Sequence, residues 1–368
     1  MRKKNILYLT RTMGLGGTEK VILQLCENFK DEFNNIIVCS SGGIHIDKLK
    51  KLGIKHYEIP DFEDKNIINI IKTIGMLKKI IRNEHIDLIH SHHRMGAFYV
   101  KLVNLRRKKI EIYTAHNTFK DKKKLTQFAL NNSNIIAVGN KVKDNLVNYY
   151  GISKEHIHVI YNGIEKDTVV YNEIKELKQL KDKGYYIVGN IGRLSEQKGM
   201  KYFIEAYNSM RNHIKNIKFC IIGDGELKDE LKEYCKELNI DKDILFLGYR
   251  NDIPNIINHC DLIVLSSLWE GLPLIPIETF MQGKTIVATN VDGTSEIVKD
   301  GFNGFLVEPR NNEMIKDKII TLYKNNNMKN SFEKNAYKTY EEKFTIRRFV
   351  RDYENYYKNL IRGLEHEK

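Results

Sequence analysis

The stretch Leu262-Ile-Val-Leu-Ser266-Ser267-Leu-Trp269-Glu270-Gly271-Leu-Pro273-Leu274-Ile275-Pro276-Ile277-Glu278 decides the fold class. It opens with a continuous apolar run, the pattern of a strand buried on both faces. Gly271 and Pro273 shape a loop, and Pro276 suits the first turn of a helix, where a missing N–H costs little. A buried strand, a loop and a helix in that order form the repeating unit of a parallel sheet.

The same unit recurs on both sides of this stretch. Upstream, strands are expected at 6–10, 36–40, 56–59, 87–91, 110–115, 135–138 and 158–161, with helical periodicity at 18–29 and 67–82. The pattern restarts at 186–192, 219–223, 245–248, 262–266, 285–289 and 305–307. The charged, poorly periodic segment 165–182 between the two series reads as a linker with a peripheral helix. Residues 346–368 carry an amphipathic helix whose stripe is Ile346, Phe349, Tyr353, Tyr356, Tyr357 and Leu360. The expected organisation is α/β: a Rossmann-like acceptor-side domain at 1–162, a Rossmann-like nucleotide-sugar domain at 163–345, and the helix 346–368. That helix packs on its own domain or crosses back to the first.

A chain of 368 residues exceeds one ordinary core, and 42% hydrophobic with 29% charged residues excludes a disordered chain. No apolar run reaches the length of a membrane span, and the apolar patch near the start is too short for a signal-peptide core. Five cysteines without CxxC spacing argue against a disulfide framework or a zinc site and for a reducing, cytoplasmic setting. Residues 1–162 carry the whole formal excess of +13, and residues 163–368 balance to zero. Lys101 with Arg106, Arg107, Lys108 and Lys109 forms one basic run, and Lys120 with Lys122, Lys123 and Lys124 another. No nucleic-acid-reading motif accompanies them, which favours an anionic membrane surface over nucleic acid.

Ligands of doubly wound sheets bind at the carboxyl ends of the strands, and the unusual segments fall there. Gly14-Leu-Gly16-Gly17-Thr-Glu19 follows the first strand and opens a helix, as an anion seat or as a tight turn. Gly192-Arg193…Lys198-Gly199 offers two cations, a diphosphate clamp or a solvated pair. Glu270 and Glu278 are two carboxylates on either side of the helix start, with free amides at Leu274 and Ile275 between them. This gives one carboxylate for sugar hydroxyls, amides for phosphate and a second carboxylate for a ribose diol. Asp241-Lys-Asp243 reads as a solvated turn. His90, His92 and His93 lack the partners of a metal site and read as acceptor contacts or structural residues.

Together with Gly223-Asp-Gly225, Phe246-Leu-Gly248 and Gly293…Glu296…Gly301…Gly304, these motifs resemble the retaining GT-B glycosyltransferases of glycosyltransferase family 4, the group 1 glycosyl transferases. The resemblance spans most of the chain and is most specific over 188–309. Toward the N-terminus it rests on the Gly16-Gly17 loop, on Ala115-His116-Asn117 and on the boundary at Asn162-Gly163. It implies the GT-B arrangement of two Rossmann-like domains facing across a cleft. It also implies transfer of a sugar from a nucleoside-diphosphate sugar, UDP by expectation, to an acceptor hydroxyl of a glycan or lipid-linked acceptor, with retention and without a metal or other cofactor. By the same resemblance Arg193, Lys198 and the amides of Leu274 and Ile275 neutralise the diphosphate, Glu270 binds the donor sugar, Glu278 the ribose, and His116 lies near the transferred sugar. Gly16, Gly17 and Gly271 join the donor-binding set. Polysaccharide or glycolipid synthesis at the inner face of the membrane is the expected setting. A GT-B sugar-nucleotide epimerase and a non-catalytic nucleotide-sugar-binding subunit are the alternatives, against which the intact charged motifs argue.

Overall fold

The computed structural model describes residues 3–64, 66–106, 108–166 and 172–366. It divides into two compact units, Met1–Asn162 with Phe349–Lys368, and Gly163–Arg348.

The first unit is built on β1 (Asn5–Leu9), β2 (Asn35–Ser40), β3 (Lys55–Glu58), β4 (Leu88–Ser91), β5 (Ile110–Ala115), β6 (Asn134–Ala137) and β7 (Ile157–Val159). The order is β3-β2-β1-β4-β5-β6-β7, and every neighbouring pair is parallel. Between the strands run α1 (Gly17–Phe29), α2 (Ile46–Lys51), α3 (Ile67–Asn83), α4 (Arg94–Val103), α5 (Lys123–Leu130) and α6 (Asn140–Asp144). Right-handed crossovers put α1 and α2 on one face and α3, α4 and α5 on the other. Leu7, Leu9, Ile37, Cys39 and Ile89 of the strands pack against Leu77 and Ile80 of α3 and Tyr99 and Val100 of α4. A hydrogen bond from Ile68 N to the Asn66 side chain, 2.9 Å, caps α3.

The second unit repeats the plan. It comprises α7 (Lys175–Asp182), β8 (Tyr186–Ile191), α8 (Met200–Met210), β9 (Ile217–Ile222), α9 (Lys228–Glu237), β10 (Ile244–Gly248), α10 (Ile253–His259) and β11 (Leu262–Leu265), followed by α11 (Leu274–Met281), β12 (Ile286–Thr289), α12 (Thr294–Ile297), β13 (Gly304–Val307), α13 (Asn312–Lys324) and α14 (Asn326–Lys343). Its parallel sheet has the order β10-β9-β8-β11-β12-β13. Each of the thirteen expected strands is present, displaced at its ends by two residues or fewer. The segment 165–182 does contain a peripheral helix, α7, in which Leu177 alone is buried; residues 167–171 lie outside the described part.

The last helix, α15 (Ile346–His366), covers the part of the first sheet that α1 and α2 leave open. Phe349, Tyr353, Tyr356 and Tyr357 are all buried. The Tyr357 ring meets Phe29 of α1 edge-on at 5.5 Å, and its hydroxyl approaches that of Tyr8 on β1 at 3.3 Å. Residues at i, i+4, i+7 and i+8 share one face of a helix, so these four of the stripe read from the sequence form the buried face, with Ile346 and Leu360 half-buried at its ends.

In both sheets the chain leaves its first strand in one direction and returns to the other side of it. The switch points lie between β1 and β4 and between β8 and β11, and open parallel sheets take their ligands there. The loops after β1, β4, β8 and β11 are those that carry the sequence motifs.

Phe349 has no exposed surface, so Phe349→Ala leaves a cavity under α15. The expected cost is ~3–5 kcal/mol, against less than ~0.5 kcal/mol for Lys358→Ala on the exposed side. Urea unfolding of the full chain followed by circular dichroism checks both; equal midpoints for the two variants contradict the packing described.

Candidate active site

In the second unit, four loops at the carboxyl ends of β8, β9, β11 and β12 are knitted backbone to backbone. Gly223, after β9, has φ of +145°, and a Cβ there would lie 1.9 Å from the Gly192 carbonyl oxygen. Gly293, after β12, is as tight against the loop after β11, where a Cβ would lie 1.7 Å from the Gly271 carbonyl oxygen. Glycine at these two positions is therefore a condition of loop packing. Further bonds tie the loops together. Leu194 N donates to Asp224 O at 3.0 Å and Leu268 N to Gln197 O at 2.7 Å. Gln197 Nε2 donates to Trp269 O at 2.9 Å.

That knitting brings Lys198 onto Glu270. Lys198 Nζ donates to Glu270 Oε1 at 2.5 Å, with the carboxylate side chain 7% exposed. Ser267 Oγ donates to the same oxygen at 2.7 Å, and Thr289 Oγ1 holds the Ser267 carbonyl at 2.5 Å. Both partners fall on Oε1, so Oε2 is the oxygen open to a ligand hydroxyl. Ser267 is a member of the site that sequence reasoning missed; its place three residues before Glu270 on a loop was the available signal.

Gly271 continues the loop, and α11 begins at Leu274. The amides of Leu274, Ile275 and Ile277 stand in the first turn of α11, and the helix dipole favours an anion before it. Pro276, the third helical residue, has no N–H to leave unpaired. Glu278 lies in the second turn and is buried. Arg193 lies apart from Lys198: its guanidinium pairs with Glu226 at 3.1 Å and is 71% exposed. The structure thus joins Lys198 and Glu270 directly and leaves Arg193 at the surface. Asp243 of the Asp-x-Asp sits in the turn before β10 and pairs with Lys218.

In the first unit, Gly16 caps α1 and Gly17 begins it, both exposed. The side chain of Glu19 folds over them; a Cβ at Gly16 would meet Glu19 Oε2 at 2.4 Å. Glu19 accepts from Thr12 Oγ1 at 3.1 Å, and burial raises its carboxyl above the usual range. The expected anion seat therefore has the chain's own carboxylate in it.

His90, His92 and His116 line up at the ends of β4 and β5. His90 Nδ1 lies 2.8 Å from the Tyr357 hydroxyl and its Nε2 2.7 Å from Thr114 Oγ1. His92 Nδ1 is 2.9 Å from His116 Nε2. Burial holds His90 and His92 well below the ordinary imidazole range and His116 down at about 3, so all three are neutral at physiological pH. His93 turns to the other face, against Phe62. Among the described residues no group of three or more His, Cys, Asp or Glu is arranged to hold a metal ion. All five cysteines are buried and unpaired with one another.

The basic run beyond α4 is smaller than its sequence suggests. Lys101 is buried, 3.5 Å from Glu111 and bonded to Asn131 O at 2.6 Å, so it belongs to the core. Arg106 and Lys108 are exposed, Lys109 is half-buried, and Arg107 lies outside the described residues. Lys120, Lys122, Lys123 and Lys124 are exposed. Among them stand Leu105 and Phe128, and α3 on the same face shows Ile67, Ile68 and Ile71, each more than 60% exposed. These apolar side chains went unremarked in the sequence because they continue a helical pattern that also contains core positions.

Two family profiles match successive parts of the chain: Glycosyltransferase Family 4 over residues 15–168 and Glycosyl transferases group 1 over residues 172–339. The chain is 30% identical over 318 residues to the UDP-Gal:alpha-D-GlcNAc-diphosphoundecaprenol alpha-1,3-galactosyltransferase of Escherichia coli, covering 80% of this chain and 81% of that one. It is 28% identical to the N-acetylgalactosamine-N,N'-diacetylbacillosaminyl-diphospho-undecaprenol 4-alpha-N-acetylgalactosaminyltransferase of Campylobacter jejuni, over 57% of this chain and 55% of that one. The crystal structure of Anabaena HepE in complex with UDP-glucose superposes with a TM-score of 0.85 at 20% identity, covering 96% and 99% of the two chains. That likeness carries the fold alone, the two-domain α/β GT-B fold. The match to the Escherichia coli enzyme along four-fifths of both chains makes the assignment firm: this chain is a glycosyltransferase and belongs to glycosyltransferase family 4.

Proposed function

We propose that the chain transfers a hexosyl or N-acetylhexosaminyl residue from a UDP-sugar to a hydroxyl of a lipid-diphosphate-linked glycan, with retention. The setting is glycolipid or polysaccharide synthesis at the cytoplasmic face of a membrane. The observation that carries the reading is the pairing of half-buried Lys198 with buried Glu270 beside the start of α11. The difficult part of such a transfer is departure of the diphosphate while positive charge grows on the sugar. A preorganised cation and helix-start amides stabilise the leaving group, and a carboxylate holds the sugar as charge develops. Lys198, with the amides of Leu274 and Ile275, takes the first role and Glu270 the second. Glu278 takes the ribose hydroxyls. Arg193 swings from Glu226 to the diphosphate, a small cost because exposed pairs contribute little. His116 bonds the transferred sugar or its acceptor. The Escherichia coli and Campylobacter jejuni relatives are named for diphosphoundecaprenol-linked acceptors, and the first for a UDP-Gal donor, which supports the donor and acceptor classes. The donor charges are met by protein groups, so no metal enters the scheme.

The first test incubates the full chain with UDP-galactose, UDP-glucose or UDP-N-acetylglucosamine and a polyprenyl-diphosphate-linked N-acetylglucosamine. A glycosylated lipid with the donor's anomeric configuration is the expected product; transfer only from a non-uridine donor, or with inverted configuration, overturns the corresponding part. Glu270→Gln lowers kcat by ~10²-fold or more, whereas Glu278→Gln chiefly raises the donor KM, because the ribose is held alike before and during transfer. Lys198→Ala and Glu270→Gln do not add, since the two groups touch. Activity persists in EDTA; loss restored by Mn²⁺ would end the metal-free scheme.

Membrane attachment is the second test. No helix among the described residues is long and apolar enough to span a bilayer, and a lipid-linked acceptor calls for attachment of another kind. Arg106, Lys108 and Lys122–Lys124 supply ~1 kcal/mol each near an anionic surface, and Ile67, Ile68, Ile71 and Leu105 supply apolar area. Co-sedimentation with anionic vesicles is expected at low salt and falls steeply at high salt. Reversing Arg106, Lys108 and Lys109 to Glu weakens it, while reversing three exposed lysines of the neutral half does not. Equal loss in both variants assigns the effect to general charge.

A further inference from the structure

The histidine chain of the first unit holds a feature that the transfer scheme does not use. His92 is 4% exposed, and its Nε2 is buried with no hydrogen-bond partner. Its Nδ1 faces His116 Nε2 at 2.9 Å, with the rings only 26° apart and their centroids 5.2 Å apart, the spacing of an in-plane N–H···N bond. Two neutral imidazoles bonded in this way have two proton arrangements. In one, His116 donates; His92 must then carry its proton on Nε2, where a buried N–H finds no acceptor. In the other, His92 donates from Nδ1 and leaves only a lone pair unmet at Nε2. Orphaned buried donors are the rarer of the two in folded proteins.

We infer that His92 is the positioning residue of His116: it donates Nδ1–H to His116 Nε2 and so fixes His116 as the Nδ1–H tautomer. His116, half-buried, then carries a neutral hydrogen-bond donor at Nδ1. It bonds an oxygen lone pair of a sugar hydroxyl or of an acceptor, and it does not take the proton of the attacking hydroxyl. His92 itself is held from behind: its ring lies 4.2 Å from that of His90. His90 is in turn fixed by Tyr357 of α15 and Thr114 of β5. The groups facing His92 are Tyr8, His90 and His116. None is a carboxylate that would draw a proton onto the pair.

The inference rests on the transferase reading only for its effect on rate, so its two readouts are separable. Long-range 1H–15N spectra of the imidazoles in the full chain at neutral pH read the tautomer directly, with the His116 signals assigned by their loss in His116→Phe. A protonated Nδ1 and bare Nε2 on His116 are expected; a His116 with its proton on Nε2 overturns the inference whatever the enzyme transfers. For the rate, His92→Leu and His92→Asp lower kcat by ~10-fold or more, as loss of an orienting partner does elsewhere, while the donor KM stays. His92→Asn, whose amide can occupy the Nδ1 position as a donor, recovers most of the loss. Unchanged kcat in correctly folded His92→Asp, or no recovery in His92→Asn, removes the positioning role even if the tautomer is as expected.

Discussion

The second unit depends on how closely its loops approach. At Gly223 and Gly293 the obstacle to a side chain is backbone on a neighbouring loop, the carbonyls of Gly192 and Gly271. Backbone held on both sides by parallel strands cannot step aside as the tip of a lysine could. The motif glycines that look like ligand contacts in the sequence are therefore first of all packing devices. Gly199, where a Cβ would lie 2.3 Å from the Ser266 carbonyl oxygen, does the same between the loops after β8 and β11, whose spacing lets a lysine from one reach a carboxylate on the other. A site supported in this way is rigid before any ligand arrives, which a preorganised electrostatic site requires.

The Lys198–Glu270 pair is then poorly explained as a contribution to stability. The Glu270 carboxylate is buried and Lys198 half-buried, so both lose solvation, and their attraction offsets this only in part; well-packed apolar residues often do better. The exposed Arg193–Glu226 pair, by contrast, neither costs nor contributes much. The pair stands at the switch point of the sheet with one carboxylate oxygen outside its bonds, as the proposed donor site requires. Lys101 with Glu111 and Asn131 O shows the other use of a buried cation, closing a core with its partners at hand.

Period and punctuation carried the fold. Short apolar runs, three to seven residues long, between helical stretches placed thirteen strands, because parallel strands buried on both faces leave few alternatives. Glu270, Gly271, Pro276 and Glu278 were legible as a candidate site because a strand, a loop and a helix start fall on them in succession. What the sequence withheld was pairing across space. Nothing local says that Lys198 reaches Glu270 while Arg193 turns to Glu226, or that Lys101 leaves the basic run for the core. The histidines are the clearest case. Neighbours along β4 point to opposite faces, which argued against a metal site. The same alternation puts His90 and His92 on one face, and only the parallel register of β4 with β5 brings Thr114 and His116 to meet them.

The two units meet charge in different ways. The second handles it with charge of its own, a lysine and carboxylates at helix starts. The first carries the whole excess of positive charge, yet the imidazoles at the ends of its central strands are neutral, because α15 closes over them. A helix of leucines would bury that face equally well but would leave His90 Nδ1 without its partner, and an unmet polar group in the interior costs more than a bond gains. Tyrosine combines an apolar body with a hydroxyl at its tip. Tyr357 meets His90 at 2.8 Å, and the Tyr353 hydroxyl lies 3.4 Å from Thr114 Oγ1. The aromatic stripe of α15, which in the sequence reads only as hydrophobic periodicity, is thus also the polar backing of the histidine chain. The first unit thus keeps its basic charge at the surface and its polar interior neutral.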